Sequence, residues 1–134
     1  MSSSFREAVE RRDLDAVEAT LADNVIFHSP VVFKPYQGKA IVQAILRAVI
    51  EVFQDFRYVR DIRDGDEHVL IFEAKVGELG ITGCDILRYD ADGQITDFMV
   101  MVRPLNAASA LAEQMRARFP EIQANAIEWM KKHA

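Results

Sequence analysis

The Asp92-Gly93 pair stands between two stretches of mostly apolar residues, Ile81 to Tyr89 and Ile95 to Val102. An Asp-Gly dipeptide readily takes the positive φ angles of a tight hairpin turn, so the two stretches are expected to pair as antiparallel strands. The second stretch constrains the fold further. Alternation puts Phe98, Val100 and Val102 on one face and Asp97, Met99, Met101 and Arg103 on the other. Both faces are apolar at the centre, so both need a cover. One cover is the chain's own helices. The other is either the terminal helices or a second copy of the protein, a contact that flexible methionines suit.

Upstream, His68 to Val76 is expected as a strand before a Gly77 to Gly80 turn, and Phe56 to Ile62 as another before Asp64-Gly65-Asp66. Asn24 to Ser29 is rich in β-branched and aromatic residues and is expected as a short strand ended by Pro30. Residues 5–22 have helical spacing at Phe5, Ala8, Val9, Leu14, Val17 and Leu21, with Asp13 placed to cap the second of two short helices. Pro35 and Gly38 mark residues 31–38 as a loop, and Lys39 to Phe53 carries a broad apolar helical face. Pro104 stops the last strand. Two helices are expected after it, over 106–118 and 120–132, with Pro120 in the first turn of the second. Helices segregated from hairpin-linked strands mean an α+β fold, and with no linker or repeat it is drawn as one domain over residues 1–134.

A chain of 134 residues, half of them apolar, can bury a core without a staple. The one cysteine, Cys84, excludes an internal disulfide and a four-cysteine zinc site. A net charge of −5, with basic residues interleaved among acids as in Glu10-Arg11-Arg12-Asp13, argues against nucleic acid as a partner. No apolar run approaches the ~18 residues that span a bilayer. The start, Met1 to Arg6, lacks a signal-peptide pattern, so a cytoplasmic location is expected. His28, His68 and His133 stand far apart, and no glycine-rich phosphate loop occurs, so neither a metal nor a cofactor is expected.

Asp85 is the leading candidate for chemistry. It lies on a strand short of charge and shares a face with Gly83, Leu87 and Tyr89. On an apolar face a carboxyl has its charged form disfavoured, which raises its pKa and leaves a proton donor. The alternative is an aspartate that holds Tyr36, Tyr89 or an arginine in place. His28 and Ser29 end the first strand, and alternation puts Ser29, not His28, on the face of Val25 and Phe27. His28 is either a base or pocket hydrogen-bonding group, or a strand-end residue facing solvent.

Three motifs carry a resemblance. They are Asp13-Leu14-Asp15-Ala16-Val17 with Leu21-Ala22-Asp23-Asn24-Val25, then Ser29-Pro30 with Tyr36-Gln37-Gly38-Lys39. The third runs from Asp85-Ile86-Leu87-Arg88-Tyr89-Asp90 through Asp92-Gly93-Gln94-Ile95-Thr96-Asp97. Over residues 5 to 104 the chain resembles the nuclear transport factor 2-like superfamily, in particular its SnoaL-like and ketosteroid isomerase-like members. The resemblance implies a cone-shaped fold, a strongly curved mixed sheet wrapped by helices around an apolar pocket. It also implies a homodimer through the outer sheet face, with Phe98, Val100 and Val102 inside and Met99, Met101 and Arg103 near the partner. Against the isomerase pattern, Asp85 matches the acid that binds the developing oxyanion. The base position falls on Ser29 with His28 beside it, and the tyrosine position falls on Phe5. Against the epoxide hydrolase pattern, the acid of the last strand falls on Val100.

Fold alone does not choose a function within such a superfamily. Two readings follow. One is a binding module whose pocket takes a small apolar or aromatic metabolite, with Ser29, Tyr36, Phe98, Val100, Val102, Leu87 and Phe5 as ligand-binding residues. The other is an isomerase, cyclase or dehydratase using Asp85 as acid and His28 as base. The test between them is whether His28 turns inward.

Overall fold

A computed structural model describes residues 4–134; Met1 to Ser3, part of the start read above for a signal pattern, lie outside the described residues. The elements run α1 (Ser4–Glu10), α2 (Leu14–Ala19), β1 (Leu21–His28), β2 (Tyr36–Gln37), α3 (Lys39–Val52), β3 (Gln54–Asp64), β4 (Glu67–Val76), β5 (Leu79–Tyr89), β6 (Ile95–Arg103) and α4 (Leu105–Lys132). Six strands form one sheet in the order β2-β1-β6-β5-β4-β3. β1 and β6 are parallel and the other pairs antiparallel, which makes the sheet mixed. The α+β expectation holds.

The hairpin of β5 and β6 forms where Asp92-Gly93 places it, with Gly93 at φ 79°. Asp90 adds to the turn by accepting from the backbone N–H groups of Asp92 and Gln94. The inner face is built by period-2 alternation: His68, Leu70, Phe72, Ala74 and Val76 on β4, and Ile81, Gly83, Asp85, Leu87 and Tyr89 on β5. Curvature comes from register shifts, one between β1 and β6, one between β5 and β6 and two between β3 and β4. Such bulges bend a strand and raise its twist. The concave side closes over α1, α3 and α4.

One glycine is needed for lack of a side chain. Gly83 lies opposite Phe72 in the β4–β5 ladder, and a methyl group there would overlap the buried Phe72 ring. We therefore expect Gly83→Ala to destabilise the fold by about 1–3 kcal/mol, as overpacking does. Urea denaturation measures the loss; an unchanged midpoint would contradict this packing.

Besides β2, whose Tyr36 and Gln37 pair with β1 inside the expected 31–38 loop, two expectations are corrected. The first strand starts at Leu21 rather than Asn24. α2 ends at Ala19, where the Thr20 hydroxyl donates to the Val17 carbonyl, and Leu21 then pairs with Ile95. The other correction concerns the C-terminus, where one continuous helix replaces the two expected on either side of Pro120. A proline inside a helix removes one hydrogen bond and crowds the preceding turn, at a cost of about 3 kcal/mol. Packing offsets it. Leu111, Met115, Phe119, Ile122 and Ala126 keep one helical stripe in phase through Pro120, all joined to the core. Beyond the proline, the buried Gln43 of α3 donates to Asn125 at 2.9 Å and accepts from Arg47.

Candidate functional site

The concave face, α1, α3 and α4 enclose a cavity of about 420 Å³. That volume falls within the roughly 300–1,000 Å³ usual for small-molecule sites. Its wall is largely aromatic and aliphatic. Phe5, Phe27, Phe53, Phe56, Phe72 and Phe98 line it together with α3 and α4 residues such as Ile45, Val49, Met115 and Phe119. The rings interlock: Phe98 meets Phe5 and Phe27 edge-on, each at 5.3 Å between centroids, and Phe72 stacks on Phe56 at 4.8 Å.

Asp85 is buried in this wall, 5 % exposed. Its neighbours across the ladder are Leu70 on β4 and Val100 on β6. Burial pushes its carboxyl up to about 7, while a hydrogen bond with the Tyr58 hydroxyl pulls the other way. Near neutral pH a large fraction of Asp85 therefore carries a proton. Tyr58 also lines the cavity, and its phenol is pushed well up by burial and then by the charge of Asp85. It stays protonated. The two residues thus form a hydrogen-bonded pair in an apolar wall with one O–H left to donate, an arrangement suited to an acceptor oxygen such as a carbonyl or an enolate.

Sequence reasoning missed Tyr58. Alternation from Phe56 puts Phe56, Tyr58, Arg60 and Ile62 on one face. The register shift after Tyr58 breaks that pattern, so Tyr58 is the one buried residue of the strand while Ile62 is 57 % exposed. The available signal was the aromatic pair Phe56 and Tyr58 at period two within a charged stretch.

The other expected residues divide. Phe5, Ser29, Tyr36, Phe98 and Val100 line the cavity. The Ser29 hydroxyl accepts from the Val31 backbone N–H at 3.1 Å, which shapes the loop after β1. Tyr36 lies near Phe119, 6.3 Å between rings, so it does not serve to hold Asp85. Leu87 and Val102 belong to the packed core rather than the cavity wall. His28 is turned to the outer face, where its Nε2 lies 3.4 Å from Asp97 and its ladder neighbour is Met99. From Ile26 to His28 the pairing of β1 with β6 is regular, so alternation sends the imidazole away from Val25 and Phe27. The structure does not bring His28 and Asp85 together.

A separate chain of polar groups, buried at His68 and Tyr89 and open to solvent at Asp61, ties α1 to the sheet. His68 Nδ1 lies 2.7 Å from the Tyr89 hydroxyl and its Nε2 lies 2.6 Å from Asp61, which accepts from Arg6 at 3.0 Å. Burial would raise the Asp61 carboxyl, but the hydrogen bonds from His68 and Arg6 outweigh it and lower the pKa. The Arg6 guanidinium also stands 5.6 Å over the Tyr58 ring. This anchors the helix that brings Phe5 to the cavity. Among the described residues no group of three or more histidine, cysteine or acidic side chains could hold a metal, and no helix is long and apolar enough to cross a membrane.

Comparison with known proteins agrees with this architecture. The sequence pattern of the SnoaL-like domain matches residues 3–98. Among solved structures, a steroid delta-isomerase from Pseudomonas aeruginosa is 42 % identical with a TM-score of 0.84, covering 90 % of this chain and 89 % of that one. An uncharacterised protein with a cystatin-like fold from Silicibacter pomeroyi is 37 % identical with a TM-score of 0.82, covering 86 % and 82 %. A nuclear transport factor 2-like protein of unknown function from Cytophaga hutchinsonii, 19 % identical with a TM-score of 0.59 over 75 % and 85 %, shares the fold. Among the curated proteins none matches the chain. With most of its length matched by the domain pattern and close structural relatives over nearly all of it, the chain belongs to the SnoaL-like domain family and has the nuclear transport factor 2-like fold.

Proposed function

We propose that this protein binds a small, largely apolar molecule whose one acceptor oxygen is held by Asp85 and Tyr58. The observation that carries the reading is a buried carboxyl at a raised pKa, beside a buried phenol, in a cavity otherwise lined by hydrocarbon. An apolar pocket with a few convergent polar groups is the usual make-up of a ligand site. The test uses the fluorescence of 2-naphthol, which pairs an aromatic body with one phenolic oxygen. Titration at pH 6 should show binding that Tyr58→Phe weakens by about tenfold, the loss expected for one buried hydrogen bond. No saturable binding, or equal affinity in the variant, would overturn the reading.

Catalysis is the second reading, and the likeness to a protein named steroid delta-isomerase favours it. It needs a proton acceptor opposite Asp85. With His28 on the outer face, the remaining carboxylate among the described lining residues is Glu10, at the end of α1. A β,γ-unsaturated ketone followed by absorbance of its conjugated product checks this. Turnover lost in both Asp85→Asn and Glu10→Gln would make the protein an isomerase with that pair.

We also infer a homodimer through the outer sheet face. Val69, Ile86 and Met99 stand in one row across three strands, with Ile71, Cys84 and Met101 in the next, all partly or largely exposed. Arg103 and the His28–Asp97 pair border these rows. Sedimentation should show a dimer that Met101→Glu converts to monomer, since a charge set against its own symmetry mate in an apolar patch disfavours association. A monomer in the unmodified protein would contradict it.

A further inference from the structure

Asp85 has a polar counterpart on the same floor of the cavity. The pairing of β5 with β6 sets Asp85 opposite Val100. On the other side of β6, His28 of β1 pairs with Met99, so Ser29, the next residue, arrives level with Val100. Alternation turns Ser29 to the inner face, and Ser29, Val100 and Asp85 all line the cavity. Three neighbouring strands thus carry a polar, an apolar and a polar side chain in one row. Adjacent strands lie ~4.8 Å apart, which sets Ser29 and Asp85 about 10 Å from each other. The Ser29 hydroxyl accepts from the Val31 backbone N–H, and its own hydrogen has no acceptor among the described residues. A hydroxyl has one hydrogen to give, so Ser29 keeps a donor that the site described above does not use.

We infer that the ligand carries a second oxygen, held by Ser29, and lies across Val100 with its first oxygen at the Asp85–Tyr58 pair. This rests on the binding reading above and deepens it. The spacing limits the ligand. Two hydrogen bonds of ~2.8 Å, set at an angle to the row, leave about 5–8 Å between the two oxygens. That is the separation across one ring or two fused rings, so the ligand class is a compact cyclic molecule oxygenated at both ends. Oxygens on neighbouring carbons are too close together to span the row. An apolar ring suits the middle, where Val100 forms the floor and the paired Phe27 and Phe98 stand beside it. Tyr36 is the other hydroxyl on this side, one strand further out and level with Phe27, and a variant separates its part from that of Ser29.

The experiment titrates three fluorescent probes at pH 6. They are 2-naphthol, 2,6-dihydroxynaphthalene, whose oxygens stand at opposite ends of the fused rings, and 2,3-dihydroxynaphthalene, whose oxygens are adjacent. The readout is the affinity of each diol relative to 2-naphthol. For the 2,6-diol this ratio should fall about tenfold in Ser29→Ala, the loss of one hydrogen bond, and be retained in Ser29→Thr. Comparing Ser29→Val with Ser29→Thr repeats the test with side chains of equal size. For the 2,3-diol the ratio should not respond to Ser29. A 2,6-diol ratio that is the same with and without the hydroxyl, or that falls in Tyr36→Phe instead, would overturn the Ser29 anchor and leave the binding reading standing. An equal response of the 2,3-diol would overturn the spacing. If 2-naphthol does not bind the unmodified protein, both readings fall.

Discussion

Asp85→Asn is expected to stabilise the protein at pH 8 by about 2–4 kcal/mol and to leave it nearly unchanged at pH 4. The sign follows from burial. The folded carboxyl titrates near 7 and its ordinary value is 3.8, so between these values the folded form holds a proton that the unfolded chain releases. Stability from that proton is complete below pH 3.8 and is lost as pH rises through 7. The gap corresponds to about 4 kcal/mol at most. Above pH 7 the native protein carries a buried carboxylate that asparagine does not. Taking the difference between the variant and the unmodified protein removes groups of opposite sign, such as Asp61, whose lowered pKa makes stability fall as pH drops. Urea unfolding from pH 4 to 8 reads the difference, and one that stays flat would mean Asp85 is not a neutral acid in the fold. The same variant should bind 2-naphthol at pH 6 at least tenfold more weakly, because the carboxylic O–H is gone. A residue kept at a stability cost and needed for binding is what a functional site predicts.

Phe72→Ala should cost about 3–5 kcal/mol, the range for removing a buried aromatic ring. Phe72 is 1 % exposed and its ring contacts both Phe53 and Phe56, at 5.3 and 4.8 Å between centroids. It also fills the space over Gly83 and stands opposite Tyr58 in the β3–β4 ladder. The loss should therefore show coupling. In the Phe72→Ala background Gly83→Ala should cost about 1 kcal/mol less than in the unmodified protein, because the methyl group now enters vacated space. Additive losses in the cycle would mean that ring and glycine do not meet.

The inner face of β5 was legible because β5 itself keeps period-2 alternation; the register shift in its ladder with β6, between Arg88 and Tyr89, skips Thr96 of the partner strand. Gly83, Asp85, Leu87 and Tyr89 fall where alternation puts them, and the choice of Ser29 over His28 for the inner face follows from the same rule on β1. The buried face of β3, on which Tyr58 stands, was hidden for the converse reason. β3 is an edge strand with two register shifts, and each shift moves later side chains to the other face. The long terminal helix was hidden because proline is a strong local signal, whereas the packing that overrides it is tertiary. The phase of Leu111, Met115, Phe119, Ile122 and Ala126 across Pro120 held the answer, since a genuine break would have reset it.

The most direct test of a proton-donating Asp85 is its own titration. Carbon-detected NMR of the side-chain carboxyl, with Asp85→Asn to assign the resonance, should give a midpoint near 7 in the free protein. It should rise further with 2-naphthol bound, since a ligand that accepts the proton's hydrogen bond favours the neutral acid. A midpoint at or below 3.8 would make Asp85 an ionised structural residue and contradict the account of the site.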